Sequence, residues 1–446
     1  MVDTITQWNG WLNGIVWGPP MLILLMGTGV LLTIITGAVQ FRHLHTALRE
    51  VLGKILHKGH GEGSVSPFQA VATALASTVG VGNIAGVATA LMLGGPGALF
   101  WLWVSGILGM ATKFSEIVVA LHYRERDANG VMRGGAMYTL KKKGLGWLGG
   151  IFAAFTALAA FGIGNMVQAN SVAQSLEASF GLSPMIVGIA LVVAAGAVIV
   201  GGIKRIAAFA AILVPYMAVI YLTGGIIVIL LNAGAIPAAL GLVFEGAFTG
   251  TAATGGFAGA TIMLAMRFGV ARGLFSNEAG LGSAPLVHAT ATTDHPVRQG
   301  MYGIFEVFVD TILICTVTGL AILVTGAWDD GPTGAALTAR AFQLGLPGAW
   351  GDIVVTSSLV LFAFSTIIGW SYYGETGVVY LLGARAAVPY RVAWLVFIYL
   401  GAIGSLHLVW DVADTLNGLM AIPNLVSVLI CIPLIRQLQR EFFERQ

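Results

Sequence analysis

The sequence predicts an all-α polytopic membrane protein with about 11 transmembrane helices: one N-terminal helix plus a 5+5 inverted-repeat core with two broken helices. Three observations carry that reading. Of 446 residues, 57% are hydrophobic and only 9% are charged, against about 25% charged in soluble domains. Apolar runs of spanning length, about 20 residues, recur along the whole chain. Glycine reaches 61 residues, nearly twice its ordinary share of about 7%. Glycine lets helices approach closely in lipid and supplies backbone where they break.

The same composition excludes other classes. With so few charges a water-exposed surface would be mostly apolar and would aggregate. Nucleic-acid binding is excluded, because 22 basic residues are balanced by 20 acidic ones and form no dense stripe. Cys315 and Cys431 lie in apolar runs and carry no information on redox compartment. There is no H-E-x-x-H or G-x-S-x-G, and no assembled nucleophile and base, so an enzyme is not expected.

Taken in order, the first 18 residues hold Asp3 but no Lys or Arg, so they lack the basic start of a secretory signal. Trp8, Trp11 and Trp17 instead read as an interfacial entry to a retained helix at 20–41. Further spans are expected at 67–91, 98–122, 150–178, 183–201, 206–232, 256–293 (interrupted), 300–326, 351–383, 389–409 and 411–435. No stretch reads as a soluble domain, so residues 1–446 form one membrane domain. Placing the loop after the first helix in the cytoplasm puts 18 of the 22 basic residues inside. They include Arg42, Arg49, Lys54, Lys58, Lys141, Lys142, Lys143, Arg436, Arg440 and Arg445. That bias orients the chain with its N-terminus outside and its C-terminus in the cytoplasm.

Setting the first helix aside, ten remain. Their starts fall at intervals of 31, 52, 33 and 23 residues in one half and 44, 51, 38 and 22 in the other. Each half opens with a helix interrupted by small residues. An odd number per half inverts the second, giving repeats at 67–232 and 256–435. Secondary transporters show this pattern, with the site at the paired breaks.

The first break reads Ala76-Ser77-Thr78-Val79-Gly80-Val81-Gly82-Asn83. Freed amides and carbonyls at mid-bilayer need partners: the N-terminus of a half-helix attracts a carboxylate, and freed carbonyls can hold a cation. A plain small-residue packing face is the alternative. The second break, Phe275 to Pro285, is more specific, since eight polar or small residues before a proline do not make a lipid-facing helix. Glu278 within it is either functional or ion-paired with Arg267, Arg272 or Lys113, with the pairing slightly favoured. Gln168 lies at helical spacing with Asn165 and Ser171; it either binds a ligand or joins helices. Ser365 and Thr366 offer adjacent hydroxyls to a hard monovalent cation, or bond back to their own helix. Glu306 and Asp310, one turn apart, suit a proton or a cation, or neutralise an arginine. His43, His45, His57 and His60 lack zinc-site spacing and read as a solvated loop.

At these residues the chain resembles a known family, the alanine or glycine:cation symporters, also called sodium:alanine symporters. Gly94-Gly95-Pro96-Gly97-Ala98-Leu99-Phe100-Trp101-Leu102-Trp103 is similar to the family signature, with Leu102 where a Met is usual. The run RGLFSNEAGLGSAP, from Arg272 to Pro285, is similar to a second hallmark. The resemblance covers nearly the whole chain and implies a leucine-transporter-like fold of five plus five inverted helices. The first break also resembles the unwound motif of the neurotransmitter:sodium symporters. Carried over residue by residue, the resemblance implies a sodium ion held by carbonyls of Ala76, Val79 and Phe362 and hydroxyls of Ser365 and Thr366. It implies a substrate carboxylate at the amides around Gly80 to Gly82, and an ammonium at Phe275, Ser276 and Asn277. Thr78, Gln168, Gly280 and Trp370 complete the implied pocket. Trp370 limits the side chain, which favours alanine and glycine. Asn83 matches a residue that holds a second sodium in the related family.

The expected function is therefore sodium-coupled symport of small neutral amino acids across the cell membrane by alternating access. The expected partners are the substrate, Na+ and the lipid bilayer. A proton-coupled carrier on the same fold, using Glu116, Glu306 or Asp310, is the alternative, and a passive channel the next.

Overall fold

A capping box starts the first core helix. Ser66 Oγ accepts from the Gln69 N–H and Gln69 Oε1 accepts from the Ser66 N–H, with Pro67 in the first turn. The computed structural model describes residues 2–55, 57, 59–249, 262–329, 332–404 and 407–444. Its helices include, in chain order, α1 Val2–Val16, α2 Pro19–Ile35, α3 Pro67–Thr78, α4 Val87–Gly94 and α5 Ala98–His122. There follow α6 Gly146–Phe180, α7 Pro184–Ile199, α8 Gly202–Leu231, α9 Ile236–Phe248 and α10 Ile262–Asn277. The chain continues with α11 Pro285–His288, α12 Pro296–Val324, α13 Ala335–Gly345 and α14 Trp350–Leu382. It ends with α15 Ala387–Ile403, α16 His407–Leu429 and α17 Ile432–Phe443. A short antiparallel hairpin, Glu125–Arg126 with Met132–Arg133, sits between α5 and α6.

Among the described residues, eight helices are long and apolar enough to cross a membrane, or nine with the bent pair α3–α4 counted as one span. The sequence expectation of about eleven is not reached by that count, for physical reasons. The span expected at 183–201 is only 16 residues long as α7. The interrupted span at 256–293 is split into α10 of 16 residues and α11 of 4. Residues 256–261 of that span lie outside the described residues, as do Lys58 and Arg445. α9 is an element the sequence reading does not contain. The first helix also ends earlier than expected, at Ile35, because Gly37 and Ala38 turn left-handed with φ of 62° and 55°.

Both breaks have local causes. α3 stops at Thr78, Val79 is extended, and the chain resumes through a π-helical turn, Gly82–Gly86, bent by 52°. The second break follows Asn277, where Glu278, Gly280 and Gly282 adopt φ of 56°, 92° and 80°. Three left-handed residues in five cannot continue a right-handed helix.

The helices sort into two packed groups. α5 lies against α10 and α12, and α10 also against α4. α14 lies against α6 and α8, and α7 against α15. Arg133 ties the hairpin to α14: its guanidinium donates to Asp127 Oδ2 in the hairpin turn at 2.6 Å and to Glu375 Oε1 of α14 at 2.9 Å. Glycines set the helix spacing. A Cβ on Gly377 of α14 would sit 2.6 Å from the Ala153 carbonyl oxygen of α6, which is fixed backbone. Gly377→Ala therefore forces the two helices apart at the typical overpacking cost of about 1–3 kcal/mol. It lowers the unfolding midpoint of the detergent-purified protein; an unchanged midpoint would mean these helices separate freely.

Candidate functional site

The α3 break and α14 face one another. Ala76, Val79 and Phe362 share one buried cluster. Gly369 abuts Ser77, so the helices touch closely. The Gly80 N–H donates to Asn83 Oδ1 at 2.9 Å, turned away from the helical ladder toward Ala76. Thr366 Oγ1 lies 2.7 Å from where a Cβ on Gly80 would be. Ser365 Oγ and Thr366 Oγ1 both donate to the Phe362 carbonyl, at 2.8 and 2.9 Å. Bonding back to their own helix leaves lone pairs on both oxygens, because a hydroxyl that donates once still has acceptor capacity.

Gly80 also faces Gln168 of α6, whose Oε1 lies 3.7 Å from the same Cβ position. Gln168 Nε2 donates to the Ile163 carbonyl at 3.0 Å, while Oε1 is buried without a hydrogen-bond partner. An orphaned acceptor beside a helix break is costly unless a donor arrives. The two breaks meet at Gly82, which lies 3.4 Å by the same measure from Phe275 Cδ1 and 3.9 Å from Ser276 Cα. Thr78 Oγ1 donates to the Ala74 carbonyl at 3.1 Å. Trp370 is fully buried and packs edge-on to Tyr373.

Other sequence-selected residues are engaged elsewhere. Asn277 holds the second break: Nδ2 donates to Thr311 Oγ1 at 3.1 Å, and Oδ1 accepts from the Ala279 N–H at 2.9 Å. Gly280 faces Leu25 of α2. Its N–H donates to Glu116 Oε1 at 3.0 Å, and its carbonyl accepts from Asn424 at 2.9 Å. The structure therefore groups Gly80, Gln168, Thr366, Gly82, Phe275 and Ser276, and sets Gly280 on another side of the break.

Asp310 joins the breaks in a way sequence reasoning missed. Asn83 Nδ2 donates to Asp310 Oδ1 at 2.7 Å and to Ser276 Oγ at 2.9 Å. Ser276 Oγ and Thr311 Oγ1 each donate to Asp310 Oδ2 at 2.8 Å. A π-helical stretch in α12, Phe308–Cys315, presents Asp310 and Thr311 together. The signal was an acidic residue at membrane depth; its partner Asn83 lies 227 residues away in the π-helical turn that leads into α4, and Ser276 on α10, so only the fold brings them together.

The expected Glu278 ion pair is not formed. Lys113 pairs with Glu306 Oε1 at 3.3 Å, and His288 Nε2 meets Glu306 Oε2 at 3.0 Å. Arg267 and Arg272 instead lie over the Phe268 and Phe275 rings. Glu278 accepts from Ser283 Oγ and from Trp370 Nε1, the latter at 3.1 Å. Lys113 is bonded to α12 because α5 packs along α12, which brings Glu306 within reach first. Among the described residues, no group of three His, Cys, Asp or Glu forms a metal cluster. On the helix Leu44–Leu52 burial would raise Glu50, but hydrogen bonds from Lys54 and Arg298 hold its carboxyl below the usual range. That clasp ties this helix to α12 through Arg298.

An all-helical membrane fold with two opposed helix breaks, lined by amides, hydroxyls and a buried carboxylate, defines a multi-pass membrane transporter. The chain belongs to the sodium:alanine symporter family, whose description fits residues 2–446. It is 50% identical over 428 residues to the sodium/alanine symporter AgcS of Methanococcus maripaludis, covering 94% of this chain and 93% of that one. It is 38% identical over 423 residues to the probable sodium/glutamine symporter GlnT of Bacillus subtilis, covering 94% and 86%. A Na+-coupled sialic acid symporter, solved substrate-bound and outward-open, shares the fold with a TM-score of 0.51. The identity is 14%, over 95% of this chain and 86% of that one.

Proposed function

We propose that this protein imports small neutral amino acids, alanine and glycine, by sodium-coupled symport with alternating access. The observation that carries the reading is the convergence on Gly80 of the Thr366 hydroxyl and the orphaned Gln168 oxygen. One side of the break thus offers oxygen to a cation, and the other offers an acceptor to an ammonium. Sodium is held by the Ala76, Val79 and Phe362 carbonyls with the Ser365 and Thr366 hydroxyls. The substrate carboxylate lies at the amides of Gly80 to Gly82, and Thr78, Phe275 and Ser276 shape the remainder. Trp370 bounds the side chain. Asn83, with Ser276, Asp310 and Thr311, forms a second cation position, because a buried carboxylate needs a compensating charge.

Sodium braces α3 against α14, and substrate closes the α3–α4 and α10–α11 breaks on each other. Both ligands then favour the same conformation, so each raises the affinity for the other. The group containing α4, α5, α10 and α12 rocks against the group containing α6, α7, α14 and α15. The repeats 67–232 and 256–435 relate the two halves. The N-terminus lies outside and the C-terminus in the cytoplasm, as the basic loops require.

The test is uptake of labelled alanine into liposomes holding the purified protein. An inward sodium gradient drives accumulation, excess glycine blocks it, and potassium or choline in place of sodium abolishes it at fixed pH. Accumulation driven by a proton gradient alone would move coupling to the buried carboxylates. Equilibration without accumulation under every gradient would make the protein a channel or uniporter.

A further inference from the structure

We infer that Glu278 is the residue that sets the position of the Trp370 indole, and through it the size of side chain the carrier accepts. The inference rests on the proposed reading of Trp370 as the wall of the substrate pocket. Trp370 is held on three sides. Tyr373, on its own helix, packs edge-on with ring centroids 5.2 Å apart. Gly164 of α6 lies flat against it, so that a Cβ there would come within 2.9 Å of Trp370 Cδ2. Neither neighbour fixes the ring's polar edge. Glu278 does, because Oε1 accepts the indole N–H at 3.1 Å.

Glu278 is itself fixed. It has a left-handed backbone, φ 56°, which is uncommon for a residue with a Cβ. Its N–H donates to the Leu274 carbonyl at 2.9 Å, and its carbonyl accepts from the Leu281 N–H at 3.2 Å. Ser283 Oγ donates to Oε2. The carboxylate is thus tethered on both oxygens, one to the far end of its own break and one to the indole. Both ends lie close to the proposed site. Trp370 is one helical turn from Thr366, and Gly164 one turn from Gln168, so ring, hydroxyl and amide share a region. The Glu278 bond is also the link between the indole on α14 and the second break. A change in the break is therefore transmitted to the pocket wall through one hydrogen bond. A buried Trp N–H left without an acceptor is costly, so the ring turns when that acceptor is lost.

The test reads the ratio of half-inhibitory concentrations of leucine and alanine against labelled alanine uptake in liposomes. Wild-type protein is run first; absence of sodium-driven, saturable alanine uptake there would fail the symport reading and not this one. In Glu278→Ala the ratio moves about tenfold toward leucine, the scale on which apolar pockets discriminate one or two methylenes. Glu278→Gln keeps an oxygen for the indole N–H and retains the wild-type ratio. In a Trp370→Phe background, Glu278→Ala leaves the ratio where Trp370→Phe alone puts it, since no N–H remains to be held. A uniform loss of affinity for all competitors in Glu278→Ala would overturn the inference. So would a ratio shift that persists in the Trp370→Phe background. If Glu278→Ala does not fold, Ser283→Ala loosens the same carboxylate from its other side. A smaller shift in the same direction then supports the inference, and an unchanged ratio overturns it.

Discussion

Replacing Lys113 with methionine destabilises the protein by about 3–5 kcal/mol, the usual cost of removing one partner from a buried ion pair. The lysine and Glu306 are both fully buried, and the ammonium sits 3.3 Å from Glu306 Oε1. Without it, Glu306 keeps a hydrogen bond with His288 Nε2, and Glu116 and Glu278 stay buried nearby on α5 and the second break. The site cannot call on water to solvate the orphaned carboxylate. The unfolding midpoint of the detergent-purified variant falls sharply. Adding Glu306→Gln removes the uncompensated charge and restores much of the loss, because a buried pair costs less to replace than to break. A Lys113→Met protein as stable as wild type would show that the pair carries no charge in the folded state.

Replacing Ser365 and Thr366 together with alanine raises the sodium concentration for half-maximal alanine uptake at least about tenfold. Bonds to a charged group are worth about 1.5–3 kcal/mol each, and about 1.4 kcal/mol is a factor of ten. The fold itself loses little, because both hydroxyls bond only to the Phe362 carbonyl of their own helix. Uptake is measured at fixed alanine while sodium is exchanged for potassium at constant ionic strength. An unchanged half-saturation would remove the α3–α14 cation position and leave the Asp310 cluster to carry coupling. Expression and unfolding midpoint distinguish a lost ion from a lost fold.

These two variants probe features with very different visibility in the sequence. Ser365 and Thr366 stand out because two hydroxyls interrupt an apolar run, and their neighbours at the first break stand out for the same reason. Lys113 and Glu306 are visible as charges at membrane depth, but nothing in their spacing says that they are partners. The sequence reading offered Lys113, Arg267 or Arg272 as a partner for Glu278; packing of α5 along α12 pairs Lys113 with Glu306. Asp310 illustrates the same limit. It was noted as a proton or cation residue, yet its bonds to Asn83 and Ser276 depend on three helices meeting at one point. Helix ends were legible where backbone chemistry marks them. The Ser66 to Gln69 capping box and the Gly-rich breaks act locally, so composition reports them. Spans of marginal length were not, because α7 and α10 owe their length to packing and to the adjacent break.

What the sequence by itself determined is the solvent and the backbone: a lipid-embedded helical chain, broken twice where glycine, hydroxyl and amide residues interrupt apolar runs. Lipid offers no hydrogen bonds, so long helices are enforced and each interruption must be satisfied by something polar. What only the tertiary structure decided is who satisfies whom. Asn83 with Asp310, Glu278 with Trp370, Lys113 with Glu306 and Gln168 beside Gly80 are contacts between residues far apart in the chain. Spacing along a helix fixes which face a side chain occupies, but the partner on that face is set by how the helices pack.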